Sequence, residues 1–198
     1  MAAQSSPSTA NEEPATSLLA SPSADAEGLK RALRALGGGV SIVTAGEGES
    51  RTGATVTSAT ALSIQPPRMF VSLNRSSSTW PVVERYRHFC INVVGQDHET
   101  LANQFSGRGG LTGPERYHGA AWTCLLSGAP VLEDAAAAID CEVEEAIIRY
   151  NHSIVIGRVI GIRIGNGGSL IYRDGRYHSL GDKTELLGPT HHKGIPGS

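Results

Sequence analysis

Two short stretches of this sequence carry more hydroxyls and more bare backbone than a packed core asks for. In Gly53-Ala-Thr-Val-Thr-Ser58, small side chains and hydroxyls stand where a strand ordinarily places bulky groups. A flat ligand approaches such a backbone closely and collects N–H, C=O and hydroxyl hydrogen bonds; a closely packed Thr/Ala strand has the same composition. Downstream, Asn74-Arg-Ser-Ser-Ser-Thr79 leaves a strand and enters a helix at Trp80-Pro81. Hydroxyls and backbone N–H groups at a helix start, beside the Arg75 guanidinium, form an anion site suited to phosphate. An ordinary Ser/Thr cap with proline in the first turn accounts for Thr79 and Pro81 but leaves Arg75, Ser76, Ser77 and Ser78 without a role.

Other chemistries have less to stand on. The sequence holds no GxGxxG between strand and helix, no GxxxxGK[ST], no HExxH and no GxSxG, which removes support for a dinucleotide-fold dehydrogenase, a P-loop enzyme, a zincin and an α/β-hydrolase. Gly165-Asn-Gly-Gly168 leads from strand to strand and reads as a turn. Asp140, Glu142 and Glu144 alternate along one strand face opposite Ile139, Cys141 and Val143, the pattern of a solvated outer surface. His191-His192 has no carboxylate or thiol at ligand spacing, so no metal site is expected. Cys90, Cys124 and Cys141 are too few and too scattered for a disulfide framework and read as reduced core residues.

Charge narrows the partners. Seventeen Lys+Arg against nineteen Asp+Glu give a formal charge of -2 over 198 residues, so neither nucleic acid nor an anionic membrane is an expected partner. The apolar run from Ser153 to Ile164 is broken by Gly157, Arg158 and Gly161 and is shorter than the roughly 20 residues a bilayer requires. With no apolar signal region before Lys30, the expected location is the cytoplasm.

The elements that must position these residues are mostly strands. Residues 1–24 are rich in Ser, Ala, Pro and Glu and read as a disordered tail, 25–182 as the folded domain, and 183–198 as a C-terminal extension. Asp25 to Leu36 shows helical spacing, with Asp25 as cap and three glycines as stop. Beyond it the period changes to two: Val40 to Ala45, Arg51 to Ala59, Ala61 to Ile64, Met69 to Leu73, His88 to Val94, Ile139 to Tyr150, Ser153 to Ile164, Ser169 to Arg173 and Arg176 to Leu180 read as strands. Short helices at Trp80 to Tyr86 and His98 to Phe105 interrupt them. Such a run predicts a mainly β protein, an antiparallel barrel closed or partly closed. Along Ser153 to Ile164 the isoleucines take one face and valines and glycines the other, so both faces are expected to be covered. Asp174-Gly175 marks a hairpin, and the glycine-rich stretch Ser106 to Gly119 a mobile loop.

Taken in order, Gly39-Val-Ser-Ile-Val-Thr44, the two stretches above, Leu62-Ser-Ile-Gln-Pro-Pro67, Phe89-Cys-Ile-Asn92, Leu101-Ala-Asn-Gln-Phe105, Ile139-Asp-Cys141, His152-Ser-Ile-Val-Ile-Gly-Arg-Val159 and Leu170-Ile-Tyr-Arg-Asp-Gly-Arg-Tyr177 resemble the flavin reductase components of two-component flavin-dependent monooxygenases. The resemblance covers about Leu29 to Leu180. It implies an antiparallel split β-barrel, the FMN-binding split barrel, usually a homodimer, that uses NADH or NADPH to reduce FMN or FAD for a separate monooxygenase. By position, it assigns Ala54, Thr55, Val56, Thr57 and Ser58 to the isoalloxazine edge, and Arg75, Ser76, Ser77 and Thr79 to the phosphate end. Phe105, Ser106 and Arg108 complete the flavin groove; His152, Tyr172, Arg173, Gly175 and Tyr177 border the nicotinamide nucleotide. No catalytic side chain is assigned, because the cofactors carry the hydride themselves. A split-barrel module that holds flavin or haem without turnover is the alternative. This chain departs from the family in having Tyr150-Asn151-His152 for Gly-Asp-His, which removes a carboxylate beside the histidine, and Gln65 for an acidic residue before Pro66-Pro67.

Overall fold

The computed structural model describes residues 25–180; the tail expected over 1–24 and the extension over 183–198 lie outside the described residues. Helix α1 (Ala26–Ala35) starts where Asp25 Oδ1 accepts from the Gly28 N–H at 2.6 Å. Next come strands β1 (Gly38–Gly39), β2 (Ser41–Ala45), β3 (Thr52–Val56), β4 (Thr60–Ser63) and β5 (Arg68–Asn74). Helix α2 (Trp80–Tyr86), strand β6 (His88–Val93) and helix α3 (Glu99–Phe105) lead to a short pair, β7 (Trp122–Cys124) and β8 (Pro130–Leu132). Two long strands, β9 (Ala137–Arg149) and β10 (His152–Ile164), precede the hairpin β11 (Leu170–Arg173) and β12 (Arg176–Ser179).

Seven strands build one antiparallel sheet in the order β3-β2-β6-β9-β10-β5-β4. The sheet curls until its two ends approach, yet among the described residues no ladder joins β3 to β4 or β5. Two contacts bridge the gap among the described residues: Ser58 Oγ, in the link from β3 to β4, accepts from the Ser72 N–H at 3.2 Å and donates to the Ser72 carbonyl at 3.0 Å, and the Thr52 and Ser78 hydroxyls lie 3.4 Å apart. The mainly β fold with a split barrel is therefore as expected.

Two large buried clusters flank the sheet, with a smaller third of Cys90, Ala129, Val131 and Ala138. One packs Val43, Val71, Phe89, Cys141 and Val155 with Trp80 and Val83 of α2; the other packs Val40, Ile42, Leu101, Phe105, Tyr117 and Leu132. Strand β2 feeds both, and all five of its residues are buried. Where β10 crosses the first core it must lack a side chain: a Cβ on Gly157 would lie 2.7 Å from Phe89 Cε1 and 2.8 Å from Cys141 Cβ.

Several expectations need correction. Asp140 does not face solvent. The ladder between β9 and β10 shifts between Val159 and Gly161, and Asp140, opposite Gly161, turns fully inward. There its oxygens accept from the Ser127 N–H at 2.8 Å and the Ser127 hydroxyl at 2.5 Å. Cys124 is exposed on the short strand β7; only Cys90 and Cys141 are core residues. The C-terminal end of β10's isoleucine face is not covered among the described residues, for Ile162 and Ile164 are 62% and 83% exposed. Helix α1 buries none of its residues, so its leucines lie on the surface. The glycine-rich loop is half structured: Thr112 and Glu115 form a capping box over a 3-10 turn at Gly113–Tyr117, and Tyr117 is buried.

Gly157→Ala is expected to lower unfolding stability by about 1–3 kcal/mol, the usual cost of forcing a methyl into a filled core. Urea unfolding followed by far-UV circular dichroism measures it; unchanged stability would contradict the packing described.

Candidate functional site

The split in the barrel opens into a cavity of about 630 Å³. Strand β3 stands at the end of the sheet and among the described residues pairs only with β2, so its outer backbone edge faces that space instead of another described strand. Ala54, Thr55, Val56, Thr57 and Ser58 line one wall. Opposite lie Ser72, Leu73 and Asn74 at the end of β5 and the hydroxyls of Ser76, Ser77 and Ser78 beyond it. An unpaired edge is a row of hydrogen-bonding groups held in a fixed line, the requirement for reading the edge of a planar heterocycle.

Each wall is held by local chemistry. Thr55 Oγ1 donates to the Ala102 carbonyl of α3 at 2.6 Å, fixing β3 against that helix. Gly53 lets the strand lie on the Phe105 ring, since a Cβ there would come within 2.8 Å of Phe105 Cε1 and 2.7 Å of the Val43 carbonyl. Behind it, Phe105, Tyr117 and Trp122 pack as a triad with centroids 4.7–5.7 Å apart. The Tyr117 hydroxyl donates to the Thr52 carbonyl at 2.6 Å, and the Arg51 guanidinium covers the Tyr117 ring at 4.9 Å. Burial pushes the Tyr117 phenol well above its ordinary range, which keeps it a donor.

On the opposite wall Asn74 makes a tight local turn: its Oδ1 accepts from the N–H and the hydroxyl of Ser76, both at 2.9 Å, and its carbonyl accepts from the Ser77 N–H at 3.0 Å. Ser77 Oγ then accepts from the Trp80 N–H at 3.3 Å at the start of α2. Ser78 Oγ lies 3.4 Å from Thr52 Oγ1, and all three serines line the cavity.

Not every sequence-assigned residue reaches this cavity. Phe105, Ser106 and His152 line it with the β3 segment and Ser76 and Ser77. Arg75 does not; it lies on the exposed side of the turn, its N–H donating to the Asn151 carbonyl at 2.9 Å. Thr79 is buried, its hydroxyl without a protein partner, because the chain has already turned into α2. Arg108, Tyr172 and Tyr177 line a smaller pocket of about 190 Å³, which shares Thr55, Val56, Thr57 and Ser106 with the main cavity. There Arg108 Nη2 donates to the Tyr172 hydroxyl at 3.3 Å, and the two tyrosine rings meet edge to face at 5.2 Å. Burial raises the Tyr177 phenol above its usual range, so at neutral pH it donates and does not act as a base. Arg173 lines a separate cleft on the other side of the hairpin, and Gly175 occupies the turn with φ of 78°.

Sequence reasoning had Ser78 within the anion-site stretch without assigning it to the phosphate end, and missed Gly107, Thr112 and above all Arg116. This guanidinium sits in the cavity wall, its Nε donating to the Leu111 carbonyl at 2.8 Å and its Nη1 to the Gly53 carbonyl at 2.6 Å. Its signal was the Thr112-x-x-Glu115 capping box with Pro114, which announces an ordered turn inside an apparent loop. The carboxylate missing beside His152 is replaced in geometry: Asn151 Oδ1 lies 2.8 Å from His152 Nδ1.

Residues 33–181 match the flavin reductase like domain. The chain belongs to that family. A Rhizobium rhizogenes protein named FMN reductase (NADH) RutF 2 is 38% identical over 164 residues, covering 81% of this chain and 94% of the relative. Among solved structures, BorF, the flavin reductase component of a bacterial two-component tryptophan halogenase, is similar at 25% identity with a TM-score of 0.72, over 79% of this chain and 98% of BorF. The flavin reductase HpaC, solved with NADP+, is similar at 26% identity with a TM-score of 0.71, over 80% of this chain and 99% of HpaC.

The Ser58 tie gives the site a direct test within this flavin reductase like fold. Ser58→Ala leaves the Ser72 N–H and carbonyl without that partner and is expected to cost about 1–3 kcal/mol, with Ser58→Thr recovering most of it. Denaturant titration of the three proteins checks this, and equal midpoints would show that the seam is held by something else.

Proposed function

We propose that the chain is an NAD(P)H:flavin oxidoreductase that reduces FMN or FAD and releases it to a separate monooxygenase. The observation that carries this reading is the unpaired edge of β3 facing a cavity with serine hydroxyls at its other side. A tricyclic ring with a phosphorylated side chain has that pair of needs. Ala54 to Ser58 would hold the hydrogen-bonding rim of the ring, and Ser76, Ser77 and Ser78 its phosphate. The residues fit such a group by their small size and their donors: beside the backbone edge, Arg116 supplies a fixed positive charge in the wall.

When a flavin is bound, the chemistry it supplies is acceptance of a hydride at N5 from the nicotinamide C4. The side chains' task is placement. Stacking the two rings about 3–3.5 Å apart brings most of the advantage. The Phe105 side of β3 forms a rigid backing and the open side of the cavity admits the reductant. Arg116, held in the cavity wall by the Leu111 and Gly53 carbonyls, would supply positive charge beside a bound flavin. His152 and the pocket of Tyr172 and Tyr177 adjoin that space and border the nicotinamide nucleotide. NADH is supported as the reductant by the name of the Rhizobium rhizogenes relative, FMN reductase (NADH), and transfer to an oxygenase by the two-component setting named for BorF. Among the described residues no helix is long and apolar enough to cross a membrane; we place the activity in the cytoplasm.

Mixing the full chain with NADH or NADPH and FMN or FAD, and following the nicotinamide absorbance band, tests the reading. Consumption above the protein-free rate is expected for at least one pair. Retained pigment without any consumption would point to a module that holds flavin or haem, and would overturn the enzymatic reading.

A homodimer is part of the same proposal. It is supported by the exposed Ile162 and Ile164 on β10, an apolar strand face. Sedimentation is expected to give twice the 20.7 kDa chain mass, and Ile162→Asp with Ile164→Asp to shift it to the monomer. A monomeric parent protein would contradict this part.

A further inference from the structure

The hairpin β11–β12 has two faces with opposite chemistry. Tyr172 and Tyr177 are paired across the strands on the side of the flavin cavity. One step along, Arg173 and Arg176 are paired directly opposite each other, so they share the other face. Like charges in that cross-strand position repel. Helix α1 makes the repulsion worse, because Arg31 and Arg34, one turn apart, line the same cleft, together with His178. The cleft has a volume of about 590 Å³. Four guanidiniums meet there against one carboxylate, Asp174. None of the four side chains has an ion pair or hydrogen bond among the described residues.

The placement is fixed by the fold. The Asp174 N–H donates to the Arg34 carbonyl at 3.1 Å, tying the hairpin turn to the end of α1. The turn is tight, Asp174 and Gly175 both having positive φ, at 49° and 78°. The chain thus holds a surplus of three positive charges in a concavity, on a molecule whose formal charge is -2. Guanidinium groups bind phosphate oxygens in bidentate pairs, and the volume falls within the roughly 300–1,000 Å³ of small-molecule clefts. A flat acidic protein face would leave the concavity unfilled.

We propose that this cleft is a binding site for a small molecule carrying a di- or triphosphate group. The site is separate from the flavin cavity, with which it shares no lining residue, and its occupancy does not depend on the activity proposed above. The ligand's phosphates engage Arg31 and Arg34 from the helix and Arg173 and Arg176 from the hairpin, so binding staples the two elements together.

Isothermal titration of the full chain with inorganic tripolyphosphate, and separately with ATP, tests this in buffer of about 50 mM ionic strength, where screening is weak. One equivalent is expected to bind each protein chain, with affinity falling as salt is added. Arg31→Glu with Arg176→Glu is expected to weaken it at least about tenfold, since two of the four bidentate donors are reversed. Arg85→Glu with Arg149→Glu, which changes the net charge equally at other sites, is expected to leave it in place. No binding, or equal loss in both double variants, overturns the proposal. Binding that survives Arg31→Glu with Arg176→Glu places the anion elsewhere, among the serines of the flavin cavity, and overturns it too. A hexaglutamate peptide that binds where tripolyphosphate does not would make the cleft a protein-docking surface instead.

Discussion

Everything in the proposed site depends on a β-strand edge that the protein leaves without a neighbour. Exposed edges invite pairing with another chain, and a barrel is the usual way to remove them. Here the sheet stops short of closure between β3 and β5, and among the described residues only the Ser58–Ser72 and Thr52–Ser78 side-chain contacts bridge the opening. The gap is therefore a built feature: near enough at one end to be tied by a hydroxyl, and wide enough beyond it for a cavity of about 630 Å³.

An open edge keeps its shape only if something rigid lies behind it. The triad of Phe105, Tyr117 and Trp122 provides that backing, with Gly53 allowing the strand to lie on the Phe105 ring. Arg116 and Tyr117, neighbours on one short turn, donate to the carbonyls of Gly53 and Thr52 of β3. The ordered half of the glycine-rich loop thus serves twice: Tyr117 braces the strand and Arg116 carries a positive charge into the cavity.

Much of this was legible in the sequence, for identifiable reasons. Period-two alternation located the long strands, and Asp174-Gly175 located the hairpin, because those signals are local. The small-residue segment from Ala54 to Ser58 and the serines at 76 and 77 were readable from their chemistry, and the structure brings them to one cavity. What was not legible depended on distant geometry. Asp140 alternates like a surface residue, and only the irregular ladder with β10 and the arrival of Ser127 turn it inward. Thr79 and Arg75 have the right types for an anion site, but the direction of the chain as it enters α2 carries both away from the cavity. The exposed isoleucines of β10 were read as covered because alternation reports two apolar faces without saying whether the same chain supplies both covers.

A crystal structure of the protein with FMN bound tests the central claim most directly. The account predicts the ring system along the free edge of Ala54 to Ser58, with its phosphate among Ser76 to Ser78 and one ring face open toward Tyr172 and Tyr177. A flavin seated anywhere else, or a closed β3–β5 ladder with no room for the ring, would contradict it.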